Sequence, residues 1–185
     1  MAADRQSEHD YLHAPLSQKP WYPDVVAQSL EVLPIFLDHD GLGWLKPIHA
    51  SSLRVGLGVN EQPATVVMKA LEGYDLTPSV VHSTSWRMEN ERMILTYAAI
   101  VPHAAKHAYL ETKRIGRAAL ARGEATAAPP IVHIEQVIEH AVRHLAWLVS
   151  DDLVIAKELA SWREVLAGFT PEPFRAFQAA SHSEG

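Results

Sequence analysis

The sequence contains no cysteine among its 185 residues. This absence excludes disulfide bonds, thiolate metal ligands and cysteine nucleophiles. The sequence also has no apolar run near the roughly 20 residues that a membrane-spanning helix needs, and its first residues lack the apolar core of a signal peptide. We therefore expect a soluble, cytoplasmic protein with no membrane partner.

Positive charge is scarce relative to negative charge. Sixteen lysines and arginines stand against 22 aspartates and glutamates, and the formal net charge is −6 with the 11 histidines counted as neutral. Because nucleic-acid binding usually needs a basic surface, this balance argues against a nucleic-acid partner. A chain of this length with 48% hydrophobic residues can bury a sizeable core.

The domain organisation follows from local composition. Residues 1–20 are polar and contain two prolines, which predicts a flexible N-terminal tail. We expect residues 21–185 to form a single α+β domain whose C-terminal part, residues 131–185, is helical. The helix of residues 131–149 has the clearest apolar stripe. The tryptophan-bearing C-terminal helices are also a candidate homodimer surface.

Hairpin patterns in residues 32–101 predict a mixed or antiparallel sheet. The strongest pattern covers residues 79–102, where two runs rich in β-branched and aromatic residues flank a polar cluster. A second hairpin is expected to turn at Asp38–Gly41, because Asp-Gly is a favoured turn pair. A helix at residues 63–74, which begins with Pro63, should pack on this sheet together with the C-terminal helices.

Two other segments have helix-like patterns. Residues 23–33 place Val26, Leu30 and Leu33 at helical spacing. The chain after Pro102 is rich in alanine, lysine and arginine, and we expect it to be helical as well.

The loop of the main hairpin sets which side chains share a face. A two-residue loop at Asn90-Glu91 would pair Trp86 with Leu95 and Thr84 with Tyr97. A three-residue loop would shift this register, and the turn lacks the glycine that would decide between the two.

Histidine is the most conspicuous candidate for chemistry. His103 and His107 are four residues apart, and so are His140 and His144. Imidazoles one helical turn apart can share a zinc-type ion, so a divalent metal is a candidate cofactor and a metal-dependent hydrolase is one candidate function. Neither pair has the His-Glu-x-x-His form, and histidines at the edge of a core, with one solvated nitrogen, are the alternative interpretation.

A possible anion site lies on the first strand of the main hairpin. Ser83, Ser85 and Arg87 occupy alternate positions, which places them on one face of a regular strand. Hydroxyls donate hydrogen bonds and arginine binds carboxylates or phosphates in a bidentate manner. Since His82 would face the other way, it cannot activate Ser83 as a nucleophile. A solvated strand face is the alternative interpretation.

Residues 68–76, which cover the end of the predicted helix and the two residues after it, read Met-Lys-Ala-Leu-Glu-Gly-Tyr-Asp-Leu. With this segment laid on the end of the Nudix box, the order of elements over residues 54–102 resembles a Nudix domain. Glu72 stands at the position of a metal-binding carboxylate. Lys69 and Gly73 stand where the family's other two helix glutamates occur, and Met68 replaces its arginine.

The resemblance implies that this chain has the fold of the family without its usual reaction. Two of the three carboxylates that hold the metal in the family are replaced, so the resemblance implies a catalytically degenerate domain that binds a small molecule or a protein partner. Glu72 then becomes a candidate ligand-binding residue. The alternative that the resemblance leaves open is a hydrolase of nucleoside-diphosphate type.

Overall fold

The structure is a computed structural model that describes residues 28–90, 92–102, 109–120 and 131–172. The predicted tail, residues 1–20, lies outside these ranges. The strands are β1 (Gln28–Asp38), β2 (Gly41–Pro47), β3 (Leu53–Leu57), β4 (Val80–Glu89), β5 (Arg92–Ile100) and β6 (Leu110–Arg114). The helices are α1 (Pro63–Glu72), α2 (Ile134–Asp151), α3 (Leu153–Glu158) and α4 (Arg163–Leu166), with a 3-10 turn at Ala160–Trp162. None of the helices in the described ranges is long and apolar enough to cross a membrane.

The strands form one six-stranded mixed sheet with β1 at its centre. The strand order is β4-β5-β1-β2-β6, and β3 pairs with the first half of β1. β5 runs parallel to β1, whereas the other pairings in the described residues are antiparallel. The predicted α+β class, with a mixed sheet covered by one internal helix and by C-terminal helices, is confirmed.

β1 is buried on both faces because helices cover the sheet from both sides. Its residues 30–36 are buried without interruption, as expected for a strand inside two layers of structure. The helix predicted over residues 23–33 is therefore wrong from Gln28 onward. A continuous apolar run suits a doubly buried strand as well as a helix, and only the neighbouring strands decide between them.

Two hydrophobic cores lie on opposite faces of the sheet. One core joins the sheet to α2, and its fully buried members include Leu33, Ala98 and Leu145. The other joins the sheet to α1, through Val67 and Leu71 among others. We call these two sides of the sheet the α2 face and the α1 face.

The main hairpin contains a β-bulge that the sequence pattern did not reveal. Trp86 lies opposite Leu95, as the two-residue loop predicts, but the register shifts between Ser83 and Ser85. Thr84 is the extra residue. Because one inserted residue reverses the alternation of side chains, every position before the bulge changes face relative to the prediction.

The helical prediction after Pro102 is wrong where the structure describes the chain. Residues 110–114 form β6, which pairs antiparallel with β2. Leu110 is buried in the α1-side core. The edge of β2 supplies hydrogen-bond partners that local helix propensity cannot anticipate. Residues 103–108 lie outside the described ranges.

Candidate functional site

The predicted site residues lie at three places in the fold. The described ones are Glu72 at the end of α1, Ser83, Ser85 and Arg87 on β4, and His140 and His144 on α2. The remaining two, His103 and His107, lie outside the described residues, so their predicted part in a metal site stays a prediction.

A buried charge cluster surrounds Glu31, at the centre of the sheet. The Glu31 carboxylate is fully buried. Arg87 donates from Nη1 to Glu31 Oε2 over 2.7 Å and from Nη2 to Oε1 over 3.1 Å. Arg54 Nε and Ser52 Oγ donate to Oε1 over 3.1 Å and 2.7 Å. This is a bidentate pair with its remaining lone pairs satisfied, the arrangement that makes a buried ion pair tolerable.

Glu89 completes the cluster at its solvent-facing rim. Arg54 Nη1 donates to Glu89 Oε1 over 2.8 Å, and Arg87 Nη2 donates to Oε2 over 3.2 Å. The negative charges of two carboxylates therefore neutralise the positive charges of two guanidinium groups. Glu89 is 38% exposed in its side chain, whereas Glu31 has no exposure.

The electrostatics of the cluster keep both acids ionised. Although burial alone would raise the pKa of Glu31, the hydrogen bond and charge of Arg87, helped by Ser52 and Arg54, hold that pKa below its ordinary value. The hydrogen bond from Arg54 lowers the pKa of Glu89. The cluster is thus a set of fixed, mutually neutralised charges.

The bulge at Thr84 separates the residues of the predicted anion site. Ser83 lies opposite Tyr97 and so faces α1, whereas Ser85 lies opposite Thr96 and faces α2 with Arg87. The prediction that the three residues share a face is wrong for Ser83. Arg87 is also engaged by Glu31 and Glu89, and only its buried Nε lacks a partner.

Glu72 lies beside an open depression at the end of α1. The depression has a volume of about 320 Å³, and its lining residues are Met68, Glu72, Asp75, Leu76 and Thr77. Within the described ranges, the metal-ligand atoms of three residues converge only at the β1–β2 turn, on Asp38, His39 and Asp40. Arg114 already pairs with that turn through Asp38. Among the described residues, the end of α1 therefore does not bring three carboxylates together.

Beside α1, the sheet presents a partly uncovered apolar surface on β4 and β5. Trp86 is 37% exposed, and the side chains of Leu95 and Tyr97 are half-buried against the α1-side core. Ser83 is half-buried opposite Tyr97. We call these four residues the β4–β5 patch. No lysine or arginine belongs to it, because Arg87 points to the other face.

On the α2 face, three histidines approach one another. The ring centroids of His82 and His144 lie 5.3 Å apart, and that of Trp147 lies 5.5 Å from His144. His144 is 1% exposed. Burial, with a smaller effect of His82 and His140, lowers the pKa of His144 to about 4, so this imidazole is neutral at pH 7.

Each of these imidazoles has a backbone carbonyl as a partner. His82 Nδ1 lies 2.8 Å from Ser83 O, His140 Nε2 lies 3.2 Å from Thr84 O, and His144 Nδ1 lies 3.3 Å from Glu172 O. The sequence pattern identified His140 and His144 but placed His82 on the wrong face. Only the bulge turns His82 towards α2.

No protein-family model matches the sequence, and no curated protein matches it. The structure is similar to the Nudix domain of Shewanella oneidensis NrtR, solved in complex with ADP ribose, with 13% identity, a TM-score of 0.47, and coverage of 75% of this chain and 98% of that one. It is also similar to a proposed Nudix hydrolase family member from Chromobacterium violaceum, with 10% identity, a TM-score of 0.44 and coverage of 80% and 97%. The Escherichia coli ORF135 protein is similar at 16% identity, with a TM-score of 0.32 and coverage of 55% and 79%.

The first two of these structures are named as Nudix proteins, the family that the sequence analysis suggested for residues 54–102. Since each TM-score is below 0.5, nothing about ligand or reaction follows from these likenesses.

Proposed function

We propose that this chain is a non-catalytic binding domain that takes a small molecule with a flat aromatic ring on the β4–β5 patch. The observation that supports this proposal most directly is the patch itself. Trp86 is 37% exposed, and Leu95 and Tyr97 lie half-buried on the same sheet face, which α1 leaves partly uncovered. An exposed aromatic surface on a rigid strand pair is a common basis for ligand recognition.

The ligand's chemistry follows from the groups on the patch. Aromatic side chains favour offset or edge-to-face contact with another ring, and the hydroxyls of Ser83 and Tyr97 can donate or accept hydrogen bonds. None of the four patch residues is charged, and Arg87 faces α2, where Glu31 holds it. We therefore expect a neutral heterocycle with polar substituents, of which a nucleoside is the simplest probe, rather than recognition of a phosphate.

The absence of hydrolysis is a separate part of the proposal. Magnesium-dependent diphosphate cleavage needs clustered oxygen ligands for the ion. Glu72 is accompanied by Lys69 and Gly73 at the positions where the resemblance would place further glutamates. Among the described residues that line its depression, only Asp75 is a second carboxylate. Glu72 and Asp75 are two carboxylates, fewer than the three that hold the metal in the family.

Calorimetric titration and NMR can test the proposal with adenosine, ADP and a panel of other aromatic heterocycles. We expect binding that Tyr97→Ala or Trp86→Ala weakens at least tenfold, and we expect ADP to bind no more tightly than adenosine. Leu153→Ala is the matched control, because Leu153 is an apolar side chain with 88% exposure on α3. Failure of the whole panel to bind at millimolar concentration, or equal affinities in the patch variants and the wild type, would contradict the proposal.

A further inference from the structure

We infer that His82 and His144, with His140 beside them, form a binding site for a divalent transition-metal ion such as zinc. The site lies on the α2 face, opposite the β4–β5 patch, and so does not depend on the proposed ligand. Its residues come from two elements, since His82 belongs to β4 and the other two histidines belong to α2.

The first support comes from the protonation of the rings. A carbonyl oxygen only accepts hydrogen bonds, so the ring nitrogen that faces it must carry the proton. His82 and His144 each direct Nδ1 to a carbonyl, which leaves a lone pair on each Nε2. Imidazoles that bind metals are oriented by such bonds from the opposite nitrogen.

The second support is the separation of the rings. With zinc–nitrogen bonds of about 2.1 Å and a tetrahedral angle at the ion, the centroids of two bound imidazoles lie about 5.2 Å apart. The centroids of His82 and His144 are 5.3 Å apart, with an angle of 44° between the ring planes. This spacing brings the two rings within reach of one ion.

The third support is an unsatisfied polar atom at the same place. His144 Nε2 is buried and has no hydrogen-bond partner. A buried acceptor without a partner is costly and calls for an explanation, such as a bound ion or water. Because the atom belongs to one of the two rings that have metal-site spacing, an ion on Nε2 accounts for both features.

The donor set indicates the class of ion. Neutral imidazoles favour zinc, nickel or copper, whereas magnesium and calcium prefer oxygen ligands. The ligand nitrogens of the three histidines do not all lie within 4.8 Å of one another. His82 and His144, whose rings are in contact, supply the primary ligands. A third position is filled by His140 after its side chain rotates, or by solvent.

The test uses the full chain, freed of metal with a chelator and then titrated with zinc sulfate or magnesium chloride. We expect one zinc ion per chain by calorimetry and elemental analysis, with no comparable affinity for magnesium. His82→Ala should weaken zinc binding at least tenfold. His49→Ala is the matched control, because His49 is exposed in the loop after β2.

Nitrogen NMR of the histidine rings provides a readout that does not depend on folding of a variant. Zinc should shift Nε2 of His82 and His144 in the wild type. His144 is part of the core, so its replacement is judged only after circular dichroism shows a folded protein. Absence of zinc binding, unchanged affinity in His82→Ala, or loss of binding in Asp40→Asn instead would overturn the inference. If His144 Nε2 binds only a water molecule, no zinc binding is observed.

Discussion

The carboxylate of Glu31 and the guanidinium of Arg87 form a bidentate pair in the middle of the sheet, with hydrogen bonds of 2.7 and 3.1 Å. Glu31 lies on the central strand and Arg87 on the edge strand β4, with β5 between them. Thr96 of β5 takes part through its hydroxyl, 3.4 Å from Glu31 Oε2. The pair therefore ties three neighbouring strands together on the α2 face.

Removal of the Glu31 charge should destabilise the fold strongly. In Glu31→Gln, Arg87 and Arg54 lose their buried counter-ion, and a broken buried pair typically costs about 3–5 kcal/mol. Chemical denaturation monitored by circular dichroism measures the free energy of unfolding. The matched control is Glu89→Gln at the exposed rim, for which we expect a loss of about 1 kcal/mol or less. Equal losses in the two variants would contradict this account of the cluster.

The same cluster predicts a loss of stability in acid. The pKa of Glu31 in the folded protein lies below its ordinary value. A carboxyl whose pKa is lowered by folding contributes stability that is fully present above the unfolded pKa. That contribution is lost as the pH falls from there through the folded pKa. The free energy of unfolding should therefore fall as the pH decreases from about 5.

Denaturation curves at a series of pH values between 3 and 7 measure this dependence. Glu31→Gln should show a shallower fall than the wild type, because the substituted side chain does not titrate. An identical pH dependence in both proteins would show that Glu31 does not contribute.

Glycine is required at position 43 because the β2 backbone there lies against the ring of Phe36. A Cβ atom at this position would overlap the Phe36 side chain on the neighbouring strand. Gly43→Ala should therefore cost about 1–3 kcal/mol through overpacking. Gly56→Ala on β3 is the control, because a Cβ there meets no atom within 4 Å. Differential scanning calorimetry should show a lower melting temperature only for the first variant.

Local patterns in the sequence predict the parts of the fold that depend on local interactions. The Asp38–Gly41 turn and the helix at Pro63 are confirmed, because they depend on turn chemistry and on proline at the start of a helix. Of the two registers that the sequence leaves open for the main hairpin, the structure has the one that pairs Trp86 with Leu95. β6 is missed, since its residues become a strand only where the edge of β2 is available. Local preference and tertiary context disagree there, and tertiary context decides.

The candidate sites are harder to predict, because they combine distant residues. Glu31 and Arg87 are 56 positions apart, and no local signal relates them. The bulge at Thr84 is equally invisible in the sequence, yet it decides that His82 faces α2 and that Ser83 faces α1. The histidine spacing on α2 correctly placed His140 and His144 on one helix, but their neighbour on β4 required the fold.

A single sample tests both ligand binding on the β4–β5 patch and the absence of hydrolysis. The protein is mixed with ADP and magnesium chloride, NMR follows the resonances of Trp86 and Tyr97, and chromatography measures AMP and phosphate. We predict shifted resonances on the β4–β5 patch and no turnover above the rate without protein. Turnover that Glu72→Gln abolishes would contradict the claim, because it would show that the end of α1 is a working catalytic site.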